Sequence, residues 1–142
     1  MLYLVVSVSK KYIQKHKKLT EFVVEDYELL LSIVESEAGV LLTPNTLTET
    51  SNLIRYIEEP AKTEIINQYN QLVANAEEQY IESKIATQES IYRPLGIADT
   101  VLLQLLDDEN TLITTDLELY LSALSNHKEA FNFNHLRDSY LN

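Results

Sequence analysis

The sequence predicts an α/β layer fold with a mainly parallel sheet. Short runs of strand type alternate with longer segments of helical periodicity. Two of those runs, 40–43 and 111–115, lead without slack into a helix-capping signal. At 142 residues, with no internal repeat, low-complexity tract or linker, the chain fits one domain with one core.

Taken in order, residues 2–8 are rich in β-branched and large apolar side chains and form either a strand or the start of a buried helix; the run is too short for periodicity to decide. Residues 10–18 are polar and basic. Residues 24–34 carry Tyr27, Leu30, Leu31 and Val34 at helical spacing, with Glu25 and Asp26 near the start, where the helix dipole favours acids. Gly39 stops that helix, and 40–43 is a short run of buried-strand type. Thr43 then offers an N-cap hydroxyl and Pro44 suits the first helical position, so 45–57 reads as a helix ended near Pro60. A second long pattern, 61–80, places Ile65, Ile66, Tyr69, Leu72, Val73 and Ala76 on helical spacing, and 83–90 is a further short helix. Pro94 and Gly96 punctuate the chain before a helix over 95–106 and a polar turn at 107–110. A strand over 111–115, a helix over 117–125 and an edge strand over 130–133 follow.

Composition excludes several chemistries. With no cysteine there is no disulfide framework, thiolate zinc site or cysteine nucleophile, and a reducing, cytoplasmic setting is permitted. The longest apolar run, 1–6, is far below the roughly 18 residues of a membrane span, and no basic segment precedes it, so the expectation is a soluble protein with no membrane partner. Gly39 and Gly96 are the only glycines, which leaves no Walker loop or other phosphate cradle, and no G-x-S-x-G motif is present. His16, His127 and His135 lack ligand-type spacing and read as surface residues. The nine tyrosines offer stacking faces, although most, such as Tyr27 and Tyr69, fall at helix-core spacing.

The net charge is −11, unevenly spread: the first 18 residues carry five lysines (Lys10, Lys11, Lys15, Lys17, Lys18) and no acid, leaving −16 on the rest. So acidic a surface repels phosphate backbones, and nucleic-acid binding requires a basic strip or bound cations to offset the field. The lysine strip can serve, or it is a solvated helix face.

Three carboxylates stand out. Asp99 has Leu95, Leu102 and Leu103 as helical neighbours, within a stripe that ends at Leu106, and so points to the core side; if the helix begins at Thr100, Asp99 is its N-cap. Asp116 directly follows the 111–115 strand, at the strand end where open parallel sheets bind ligands, and it equally suits the N-cap of a helix starting at Leu117. Glu49 occupies the second turn of its helix, ordinarily a solvent-facing position. Clustered carboxylates repel unless they share a hard divalent cation, and a Mg²⁺ or Mn²⁺ site of that kind suits phosphodiester hydrolysis.

Together, Thr43-Pro44-Asn45-Thr46-Leu47-Thr48-Glu49, Leu95-Gly96-Ile97-Ala98-Asp99 and Thr111-Leu112-Ile113-Thr114-Thr115-Asp116 resemble motifs of the PIN-domain ribonucleases, most clearly over 20–142. The resemblance implies a three-layer α/β/α domain spanning 1–142, with a central mainly parallel sheet. It implies Glu49, Asp99 and Asp116 as ligands of Mg²⁺ or Mn²⁺, and Thr114 as the hydroxyl supporting the site. It also implies a metal-dependent endoribonuclease acting on RNA, of the kind that serves as the toxin of a toxin–antitoxin pair, with an antitoxin protein and a second copy of itself as partners. The family's opening strand and its terminal aspartate have no counterpart here, since no acid precedes Glu21. The expectation is therefore an N-terminally truncated PIN-like domain. The alternatives are a non-catalytic PIN-like interaction module that lost metal competence with that aspartate, and an α/β regulatory domain whose acids are only caps.

Overall fold

The computed structural model describes residues 1–140, the side chains of residues 14, 15 and 18 excepted. Helix and strand are mixed, and the strands of the described residues form two parallel pairs. The chain divides into two units, Met1–Glu78 and Gln79–Asn142. No helix among the described residues is long and apolar enough to cross a membrane.

In the first unit the opening apolar run is a helix, α1 (Leu2–Val8), whose Leu2, Leu4, Val5 and Val6 are all buried. A helix apolar nearly all round must be covered on several sides, and α1 packs against both α2 (Val24–Ser36) and α4 (Ala61–Asn75). Two 3₁₀ turns, Lys10–Lys15 and Lys17–Leu19, connect α1 to α2. Here the basic strip is partly neutralised, because Lys10 Nζ lies 2.9 Å from Glu28 Oε1; the side chains of Lys15 and Lys18 lie outside the described residues. His16, expected at the surface, is buried. Its ring is shielded although the residues around it in sequence are lysines. α2 is closed at its start by Asp26, whose Oδ2 accepts the Val23 N–H at 2.8 Å. That carboxylate is only 1% exposed, far deeper than a dipole-favoured surface acid.

β1 (Leu41–Leu42) leads directly into α3 (Pro44–Ile54), with Thr43 as N-cap: its Oγ1 accepts the Thr46 N–H at 3.2 Å. α4 ends at Asn75, five residues before the sequence pattern does. Ala76 turns to extended backbone, and Glu77–Glu78 forms β2, parallel to β1, with Leu41 opposite Glu77. The pairing of β1 thus overrides the helical periodicity. Tyr69 Oη on α4 donates to the Leu47 carbonyl on α3 at 3.0 Å and ties the two helices.

The second unit opens with α5 (Ser83–Ala86), shorter than its sequence pattern, and α6 (Tyr92–Leu105), which is broken at Gly96. Gly96 has φ 82° and ψ 177°, a region open to glycine and almost no other residue. β3 (Leu112–Thr114), α7 (Leu117–Ser125) and β4 (Ala130–Asn132) then form a compact parallel βαβ unit, with Leu112, Ile113 and Thr114 opposite Ala130, Phe131 and Asn132. α7 closes through His127 at φ 56°: the Lys128 N–H reaches the Ala123 carbonyl (2.9 Å) and the His127 N–H that of Leu124 (3.0 Å). A final helix, α8 (Phe133–Tyr140), starts where an edge strand was expected to end. Leu103, Leu106, Leu112, Leu119, Ala123 and Ala130 make the core of this unit.

Candidate functional site

The second unit concentrates polar groups at the carboxyl ends of β3 and β4. Beyond β3, the Asp116 N–H donates to Thr114 Oγ1 at 3.0 Å, so the threonine hydroxyl shapes the turn that presents the aspartate. Asp116 then caps α7, its Oδ1 accepting the Leu119 N–H at 2.9 Å. The residue is exposed, and the cap occupies one of its two carboxylate oxygens.

Beyond β4, Asn132 is 4% exposed and its Oδ1 accepts the Asn134 N–H at 3.0 Å, an Asx turn that starts α8. Asn134 Nδ2 points to the Thr115 carbonyl at 3.5 Å, and its Oδ1 accepts from Arg137 Nη1 at 3.2 Å. Thr114, Asp116, Asn132, Asn134 and Arg137 therefore form one linked rim across the two parallel strand ends, where an α/β sheet offers a crevice. Sequence reasoning found only Thr114 and Asp116. The signal for the rest was the pair of asparagines, Asn132 and Asn134, flanking Phe133 directly after the apolar start of β4.

Asp99 stands on α6 in the same unit and is half-buried. The helix resumes at Ile97 after the Gly96 break, so Asp99 occupies the third helical position rather than an N-cap before Thr100. Thr100 is fully buried and donates its hydroxyl to the Gly96 carbonyl at 2.7 Å, which anchors the turn carrying Asp99. An acid there lies in the favourable field of the helix start. Glu49 belongs to the first unit, exposed in the second turn of α3, as its position in the sequence suggests.

The rim offers the oxygen chemistry that Mg²⁺ and Mn²⁺ prefer at one carboxylate, Asp116, while the oxygens of Thr114, Asn132 and Asn134 already accept hydrogen bonds and the Arg137 guanidinium stands beside them. Within either unit, no three His, Asp or Glu side chains among the described residues are gathered into a ligand group. Compared with protein-family models, curated proteins and solved structures, the chain finds no match.

Proposed function

We propose that the chain is a PIN-like endoribonuclease of three-layer α/β/α type that uses Mg²⁺ or Mn²⁺ to hydrolyse RNA phosphodiester bonds. One observation carries the reading: Asp116 lies at the carboxyl end of a strand in a parallel βαβ unit, presented by Thr114 and exposed to solvent. On this reading Asp99 and Asp116 are metal ligands of the second unit, and Thr114 supports Asp116. The cation, when bound, supplies Lewis acidity toward the phosphate and toward water. The chain's own contribution is to hold the Asp116 carboxylate still through the cap on α7, and to bring the amides of Asn132 and Asn134 to the neighbouring strand end. A toxin role in the cytoplasm, with an antitoxin protein and a second copy as partners, belongs to the same reading.

The second reading is a non-catalytic PIN-like interaction module. It is favoured by Asp116 having a complete structural role as a helix cap.

Cleavage of single-stranded RNA with and without Mn²⁺ separates the two. The nuclease reading expects Mn²⁺-dependent cleavage that is lost in Asp99→Asn and Asp116→Asn while circular dichroism shows the fold retained. Equal cleavage by wild type and both variants marks a contaminant and overturns it. A folded wild-type chain with no cleavage selects the interaction module.

A further inference from the structure

At the rim beyond β3 and β4 the acceptor oxygens are spent and donors are left over. Asn132 is 4% exposed, and its Oδ1 is taken by the Asn134 N–H at 3.0 Å. That bond fixes the orientation of the amide and turns Nδ2 the other way. Among the described residues Nδ2 meets no acceptor, and it is not sealed from solvent. A polar side chain so deep ordinarily has its partners, and N–H bonds left unmade there are costly.

A second donor stands beside it. Thr114 is half-buried, its Oγ1 accepts the Asp116 N–H at 3.0 Å, and its hydroxyl proton finds no acceptor among the described residues. Thr114 is the register partner of Asn132 in the parallel pair, so the two side chains leave the sheet on one face. Two residues earlier on that face, Leu112 and Ala130 join Leu119 and Ala123 of α7 in the core. The two donors therefore lie just past the core, at the end of α7 that begins with Asp116. Asn134 Nδ2, 3.5 Å from the Thr115 carbonyl, and Arg137 Nη1, 3.2 Å from Asn134 Oδ1, tie this corner together.

Neighbouring donors whose own oxygens are occupied select an anion. We infer that Asn132 Nδ2 and the Thr114 hydroxyl bind one phosphoryl oxyanion, whether free phosphate or the phosphate of a diester. Phosphate suits the corner better than a carboxylate does. One of its oxygens can accept from both donors while others remain for a cation on Asp116, and Mg²⁺ is commonly held by one or two carboxylates together with phosphate oxygens. The acids nearest in sequence, Asp116, Glu118 and Asp138, oppose an anion, as does the net charge of −11, so the contact is weak alone and stronger with the cation. This deepens the nuclease reading, on which it rests for the cation but not for the donors.

The test is a ¹H–¹⁵N titration of the whole chain with inorganic phosphate in EDTA at fixed ionic strength. It reads the Asn132 side-chain amide and the backbone amides of Phe133 and Asn134, and wild type should give saturable shifts. Asn132→Asp keeps the cap oxygen, since the two residues cap equally well, and puts an acceptor where the donor was. Thr114→Val removes the hydroxyl and Thr114→Ser keeps it. The aspartate and valine variants should bind about tenfold more weakly or worse, the worth of a hydrogen bond to a charged group, and the serine variant as wild type does. Urea melts establish that each variant is folded; the Thr114 pair carries the test if Asn132→Asp is not. Dimethyl phosphate in place of inorganic phosphate identifies the source: if it binds as well, the site takes a diester backbone, and if it does not, free phosphate.

Shifts linear in phosphate, shifts matched by chloride or acetate, or a valine variant that binds as wild type does overturn the inference. The two readings fail separately. Mg²⁺ should tighten phosphate binding in wild type and not in Asp116→Asn. Saturable binding that Mg²⁺ does not tighten, without Mn²⁺-dependent RNA cleavage, removes the nuclease and keeps the site. Mn²⁺-dependent cleavage with no saturable phosphate binding removes the site alone.

Discussion

Replacing Asp116 with alanine and with asparagine separates the helix-cap role seen in the structure from the ligand role proposed for the same side chain. The alanine variant leaves the Leu119 N–H, in the first turn of α7, without its acceptor. Leu119 is 3% exposed and belongs to the core of the second unit, so water is poorly placed to replace the lost bond. Loss of an N-cap side chain costs about 0.5–2 kcal/mol, and the burial around Leu119 places this one in the upper part of that range. The alanine variant also removes a negative charge from the start of α7, worth a few tenths of a kcal/mol at an exposed position.

Asparagine keeps the acceptor oxygen and is as good an N-cap as aspartate, so Asp116→Asn should stay within about 0.5 kcal/mol of wild type. In urea, with m of about 1–3 kcal/mol/M, the alanine variant should lower the midpoint by roughly 0.5–1 M and the asparagine variant by much less. Mn²⁺-dependent RNA cleavage should vanish in both, because the amide lacks the charge that holds a divalent cation. Two results refute the reasoning: an alanine variant as stable as wild type removes the cap, and an asparagine variant that cleaves at the wild-type rate removes the ligand.

Gly96→Ala meets no atom within 4 Å, so its effect isolates the backbone; at φ 82° and ψ 177° the alanine should cost roughly 1–3 kcal/mol in urea unfolding. Tyr69→Phe deletes the hydrogen bond to the Leu47 carbonyl and should cost about 1 kcal/mol at neutral pH. Burial, and after it the Glu78 charge, raises the Tyr69 pKa above its usual value of 10.0. The folded state therefore holds this proton longer than the unfolded one. The stability it contributes is complete below pH 10 and is lost as pH rises through the folded value, so Tyr69→Phe should flatten part of the alkaline decline, with Tyr12 and Tyr27, raised in the same sense by burial, keeping the remainder.

Where local chemistry decides a segment, the sequence already shows it. Thr43 and Pro44 start α3, and the strand-like run 111–115 followed by Asp116 foretells β3, the cap and α7. Where partners decide, it does not. Glu77–Glu78 has no strand propensity of its own and becomes β2 only because Leu41–Leu42 supplies a parallel edge. The run 2–8 is helical because neighbouring helices cover it on more than one side, which no seven-residue window reveals. His16 and Asp26 are buried, and although the place of Asp26 at the start of α2 was visible, the depth of either was not.

The site follows the same division. For Asp116, cap and strand-end ligand stood as rival readings in the sequence, and the geometry makes them compatible. The cap engages Oδ1 alone, so the second oxygen is available to a cation while the first is held by the Leu119 N–H. A carboxylate pinned in this way loses little freedom on taking a ligand, which is the value of building a site on a helix start rather than on a mobile loop. The same economy applies across the rim: the Asn132 side chain starts α8 by holding the Asn134 N–H, and Asn134 holds Arg137. Each polar group there has a folding role that would preserve it even if catalysis were lost. Structural substitutions at these positions therefore cannot settle the function, and the charge-only exchange at Asp116, which leaves the cap intact, can.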